Sequence, residues 1–181
     1  MTSARRTASA DLLLGEWACL GIVAAGPTHG FAVAARLRPE GAVGRVWSLS
    51  RPLTYRSLDQ LVARGLIEAR GEERGVAGGT RTILAITRAG RTALRAWLAR
   101  PVEHLRDLRS ELLLKLVLAE LNDTDSAALI DAQRCLVELM ASRLGADADA
   151  EPGDVVLRWR AESARAALRF LDGVAGEVRQ A

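Results

Sequence analysis

Between Leu66 and Thr87 the sequence changes period, and this change constrains the fold more than any other feature. Leu66-Ile67-Glu68-Ala69-Arg70 reads as a short strand. The glycine-rich run Gly71–Gly79 reads as a turn, and the β-branched Thr80–Thr87 as a returning strand. The segments around this hairpin have helical signals instead. Aromatics make up only 4% of the chain, so Leu, Ala and Val must build the core, and Ala and Leu favour helices.

Helix boundaries follow from caps and breakers. Asp11 is placed to cap a helix running to about Ala25, where Gly26-Pro27 breaks it. A short helix spans about Gly30–Leu37, and Arg38–Ser48 is a loop. Ser50 is placed to cap a third helix with Pro52 near its start, and Gly65 stands just past its end. Thr87 is placed to cap a fourth helix, ended by Pro101. Three helices, a hairpin and a helix form the winged-helix layout, in which the third helix enters the major groove and the hairpin lies on the backbone.

After the connector Val102–Arg109, three more helices are expected, at about Ser110–Leu121, Asp125–Leu144 and Asp154–Val178, with Gly145–Gly153 as a linker. The first is apolar on nearly every side and requires cover all round. In the last, Val156, Trp159, Ser163, Ala166, Phe170 and Val174 recur at spacings of three and four. A partner chain is the economical source of the missing cover. The expected fold is mostly α with a small β-hairpin. A flexible arm (1–10) precedes an N-terminal winged helix-turn-helix domain (11–101), and a C-terminal α-helical dimerisation domain (102–181) follows.

Charge is divided along the chain. Residues 1–110 carry 17 Arg against 9 acids, a balance of +8, whereas residues 111–181 have a balance of −5. The first part is therefore suited to a polyanion and the second is not. The two cysteines, Cys19 and Cys135, give neither a disulfide framework nor a zinc site. No secretory h-region is evident at the start. The most apolar stretches, Leu12–Ala25 and Leu112–Leu121, are too short to span a bilayer. A cytoplasmic protein that does not engage membranes is expected. Phosphate-cradling loops, paired His ligands and catalytic sets are missing, so no enzyme activity and no cofactor are expected.

Four blocks, in order, resemble the PadR-like family of transcriptional regulators: Leu20-Gly21-Ile22 with Gly26-Pro27-Thr28-His29-Gly30-Phe31; Ser50 with Tyr55-Arg56-Ser57-Leu58-Asp59-Gln60-Leu61 and Gly65-Leu66-Ile67; Ile86-Thr87-Arg88-Ala89-Gly90-Arg91 with Leu94 and Trp97-Leu98; and Glu111-Leu112-Leu113-Leu114-Lys115-Leu116. The resemblance covers about residues 12–120. Pro52-Leu53-Thr54-Tyr55 departs from the family's Gly-Thr-Leu-Tyr-like stretch, and the wing lacks the Lys and Pro common at its tip. The resemblance implies a repressor of homodimeric form, paired through its C-terminal helices on a near-palindromic operator in double-stranded DNA. It also implies a small aromatic effector near the dimer interface. Two other classes stay open: a MarR-type regulator, and a winged-helix module that binds only proteins.

On the third helix, Thr54, Leu58, Leu61 and Val62 share the side expected to face the core, and Leu53, Arg56 and Gln60 lie opposite. Leu53 suits a thymine methyl, Arg56 a guanine and Gln60 an adenine. Ser50, Arg51 and Tyr55 suit phosphate; Arg74 and Arg81 on the wing and Arg5 and Arg6 on the arm suit phosphate or the minor groove, with a plain disordered basic tail as the other reading of the arm. His29, at the start of the second helix, is either a phosphate contact or a local cap. Trp17 and Trp159 are candidate walls for the effector, with ordinary core or interface packing as the plainer role. Cys19 and Cys135 are either redox sensors or inert small hydrophobes.

Overall fold

The computed structural model describes residues 12–74 and 80–178. Asp11, the arm with Arg5 and Arg6, and most of the inter-strand turn lie outside them. By internal packing the chain divides into two units. One unit contains the described residues up to Trp97 together with Leu113–Thr124. The other contains Leu98–Leu112 and the described residues from Asp125 onward.

The first unit is organised around α1 (Leu14–Ala24), which is buried from Gly15 to Val23. Its N-terminal cap position is Leu13, where the Glu16 carboxylate accepts from the Leu13 amide at 2.9 Å. A side chain from within the helix thus satisfies one of the donors that a helix start leaves free. Against α1 pack α3 (Arg51–Ala63), β3 (Thr80–Ile86) and α5 (Leu113–Leu121). The apolar helix expected over Ser110–Leu121 therefore takes part of its cover from its own chain. Leu114, Lys115, Leu118 and Ala119 of α5 are buried, and Asn122 just beyond it donates to the Gly21 carbonyl at 3.1 Å. Lys115, within this apolar stretch, is wholly buried with its ammonium 4.9 Å from the centre of the Trp97 ring.

The hairpin forms as expected, from β2 (Ile67–Arg74) and β3, but it belongs to a three-stranded antiparallel sheet of order β1-β3-β2. The extra strand β1 is only Thr28–His29, which pairs with Leu84 and Ile83. It directly precedes α2 (Gly30–Arg36). Between Ala69 and Gly71 the register slips, leaving Arg70 as the additional residue of a bulge. The turn from α3 into β2 depends on Gly65 at φ +66°: Gly65 N–H donates to Val62 at 2.9 Å and Leu66 N–H to Leu61 at 2.9 Å. This is a Schellman closure, and it requires a left-handed residue. After β3, α4 (Arg88–Leu98) contributes the buried Leu94 and Trp97.

The second unit is a helical hairpin of α6 (Ala127–Ala150) and α7 (Val155–Val178). It is preceded by a 3₁₀ turn (Leu105–Asp107) and a π-helical turn (Leu108–Leu112). The expected linker is mostly helix, because α6 continues through Gly145 and Ala148, both buried. Packing on α7 holds this Ala- and Asp-rich stretch in the helix, and only residues 151–154 connect the two. Asp154 caps α7, accepting from the Val156 and Leu157 amides at 2.7 and 3.1 Å. Among the described residues, no helix is long and apolar enough to cross a membrane.

Candidate nucleic-acid interface

Helix α3 separates into two faces. Thr54, Leu58 and Leu61 are buried at spacings of four and three, and the Thr54 hydroxyl donates back to the Ser50 carbonyl at 3.1 Å. Burying this stripe turns Arg51, Leu53, Tyr55, Arg56, Asp59 and Gln60 outward. Leu53 is 49% exposed, an uneconomical place for a leucine unless something apolar meets it. Val62 departs from expectation. It lies at the edge of the stripe, where the helical advance turns it outward, and it is 44% exposed. Ser50 stands at the cap position, but its side chain makes no capping bond.

The start of α3 joins a second group of side chains. The Arg51 guanidinium lies 5.5 Å from the Phe31 ring centre and 5.8 Å from that of Tyr55. A cation in the first turn is unfavourable to the helix dipole, and the two aromatic faces offset this. Arg81 of β3 approaches Phe31 as well, at 5.8 Å. The Tyr55 ring lies over Gly30 so closely that a Cβ there would sit 2.7 Å from it. His29 stacks on Phe31 at 6.4 Å, accepts from the Ala32 amide at 3.2 Å through Nδ1, and approaches Arg81 through Nε2 at 3.3 Å. The local-cap role of His29 is thus present in the structure. Phe31, singled out in the sequence only as part of a family block, is the ring on which both arginines converge.

Contacts bring Arg51, Tyr55, His29 and Arg81 together around Phe31 and Gly30, whereas Ser50, Leu53, Arg56 and Gln60 share only their helix α3 or its start. Arg74 is exposed, opposite Thr80 at the far end of the described hairpin. The described part of β2 also carries exposed Glu68, Glu72 and Glu73, and Glu68 pairs with Arg70 at 3.0 Å. Basic character on this side therefore comes from α3 and Arg81 more than from β2.

Trp17 is buried and stacked on Trp97, with ring centres 4.8 Å apart and planes within 7°. Trp159 belongs to the other unit and is 73% exposed. Cys19 is buried and Cys135 exposed. Burial pushes the Cys19 thiol up to about 12, with Glu16 adding and a hydrogen bond from Ser57 opposing. Among the described residues, no group of His, Cys, Asp and Glu could hold a metal ion.

Residues 19–96 match the Transcriptional regulator PadR-like family. Among solved structures, the chain is similar to Bacillus subtilis PadR in complex with operator DNA, with 18% identity, 90% of this chain and 98% of that chain covered, and a TM-score of 0.46. It is likewise similar to Bacillus subtilis PadR by itself, with 17% identity, 99% and 98% covered, and a TM-score of 0.42. No curated protein matches the chain.

Proposed function

From the match of residues 19–96 to the PadR-like family, we propose that the chain is a cytoplasmic, sequence-specific DNA-binding repressor acting as a homodimer on a near-palindromic operator. The observation that carries the reading is the outward face of α3, where Leu53, Arg56 and Gln60 stand free while Thr54, Leu58 and Leu61 anchor the helix. In a major groove, Arg56 would pair with a guanine edge, Gln60 with an adenine edge, and Leu53 would meet a thymine methyl. Ser50, Arg51 and Tyr55 at the helix start would hold phosphates, with Arg74 and Arg81 on the hairpin beside them.

The second copy would pack on α7. Ala161, Ala164, Leu171 and Ala175 of this helix are buried, whereas Val156, Trp159, Ala166 and Phe170 form an exposed stripe on a different side at spacings of three, seven and four. A sustained spacing of three and four is what a helical partner requires. Repression would be relieved by a small aromatic effector. Trp159 is the wall such a ring would reach first, since Trp17 already has a partner in Trp97.

Fluorescence anisotropy of the protein's own upstream DNA, beside a scrambled duplex and across a salt series, tests the reading. Tight salt-sensitive binding to the first and weak binding to the second is the expected result. Arg56→Ala should then cost about 1–3 kcal/mol and relax preference at one base pair per half-site. Failure to bind either duplex at low salt would leave a protein-interaction module.

A further inference from the structure

We propose that His29 and Arg81 form a two-donor clamp for one backbone phosphate of DNA, held in place by the ring of Phe31. The proposal rests on the DNA-binding reading above, and concerns how the protein is positioned on the duplex rather than which bases it reads.

The contacts of the two ring nitrogens of His29 constrain where its protons can lie. Its Nδ1 accepts from the Ala32 amide at 3.2 Å, so in the neutral ring the proton resides on Nε2. That Nε2 lies 3.3 Å from a terminal nitrogen of Arg81, which can only donate. Two donors therefore face each other. The other neutral tautomer would accept from Arg81, but it would turn an N–H toward the Ala32 amide. The imidazolium would oppose donors at both positions. No protonation state satisfies both contacts, whereas a shared acceptor between Nε2 and the guanidinium would. An anionic phosphate oxygen, with more than one lone pair, accepts from both, and such charge-assisted bonds are the stronger class.

The pair persists without that acceptor because Phe31 holds it. Arg81 lies over one region of the ring at 5.8 Å, and Arg51 approaches at 5.5 Å. The His29 ring stacks at 6.4 Å. Among the described residues, neither guanidinium is paired with a carboxylate. The occupant is a DNA phosphate because Arg51 is the first residue of α3. The clamp thus adjoins the start of the helix whose outward face carries Leu53, Arg56 and Gln60.

The test is the binding of a random-sequence duplex to the full chain by anisotropy, over a salt series. The variants are His29→Ser, Arg81→Ala and the two combined. Serine keeps an oxygen able to cap α2 while removing the Nε2 donor, and circular dichroism checks that the fold persists. Each single variant should bind about tenfold more weakly, as expected for one lost charge-assisted hydrogen bond. Arg81→Ala should also lower the salt slope by about 1. The double variant should lose less than the product of the two single losses, because both donors serve one phosphate. Phe31→Leu should reproduce much of the loss. If the wild type binds and His29→Ser binds equally well, or if the two losses simply add, the clamp is overturned while the DNA-binding reading stands. If the wild type binds no duplex at low salt, both fail together.

Discussion

Gln133 illustrates how one side chain can organise a segment. It is wholly buried in the second unit, and its amide meets the backbone of Val102 twice. Its Oε1 accepts from the Val102 N–H at 2.6 Å, and its Nε2 donates to the Val102 carbonyl at 3.0 Å. Gln133→Leu keeps the approximate volume but strands both backbone groups, each at a cost of about 1–3 kcal/mol. Urea denaturation should register a loss of about 2–6 kcal/mol, the sum of two such groups; a loss near zero would mean that water takes over both bonds. Cys19 makes a second case. Its thiol titrates at about 12 when folded, against 9.0 for an ordinary cysteine. Its contribution to stability is therefore complete below pH 9 and is lost as pH rises toward 12, because the unfolded thiol ionises first. At neutral pH a thiol reagent should label one cysteine per native chain, Cys135, and both only in denaturant. Two fast labels on the native protein would contradict the inert role of Cys19.

Among the elements, the junction from β3 into α4 rests on Thr87. Its hydroxyl accepts from the Gly90 amide at 3.0 Å and lies 2.8 and 3.1 Å from the Gly65 and Leu66 carbonyls. One hydroxyl thereby joins the end of α3, the start of β2 and the start of α4. Thr87→Val should destabilise the fold by about 1–2 kcal/mol, seen as a lower Tm, and Thr87→Ser should recover most of it. This cap was legible in the sequence because a Thr before an amphipathic helical run is a local signal, and Gly65 was legible for the same reason. Ser50 misled, because Thr54 turns back onto the Ser50 carbonyl and the Ser50 side chain makes no cap. Gly145–Ala150 misled in the other direction: Gly and Asp are weak helix formers, but contact with α7 outweighs their propensity.

For the whole molecule, the decisive expectation is self-association through α7. Trp159, exposed in the single chain, would be covered in the dimer. Trp159→Glu should therefore leave the circular dichroism of the chain unchanged while shifting its mass by light scattering from dimer to monomer. Operator affinity should fall with it, since two half-sites would no longer be bound as one ligand. A wild-type protein that stays monomeric at high concentration would rule out this surface. The family resemblance makes pairing through the C-terminal helices an expectation, and the unit's own packing makes α7 the surface to test. Leu171 and the small residues Ala161, Ala164 and Ala175 are buried, and Val156, Trp159 and Phe170 are left outside.

What the sequence determined by itself was everything carried by near neighbours along the chain. The change of period at Leu66, the break at Gly26-Pro27, the cap at Thr87, and the buried stripe of α3 apart from Val62 all depend on residues within one or two turns. The tertiary structure alone decided what distant residues do together. Thr28 and His29 are too few to signal a strand until β3 pairs with them. An apolar α5 does not reveal in its own residues that α1 covers it. Phe31 becomes a platform only when Arg51 and Arg81 arrive from separate elements. Periodicity constrains which face of an element is buried. It does not constrain which other element lies against that face, and the juxtaposition of His29 with Arg81 is a fact of that second kind.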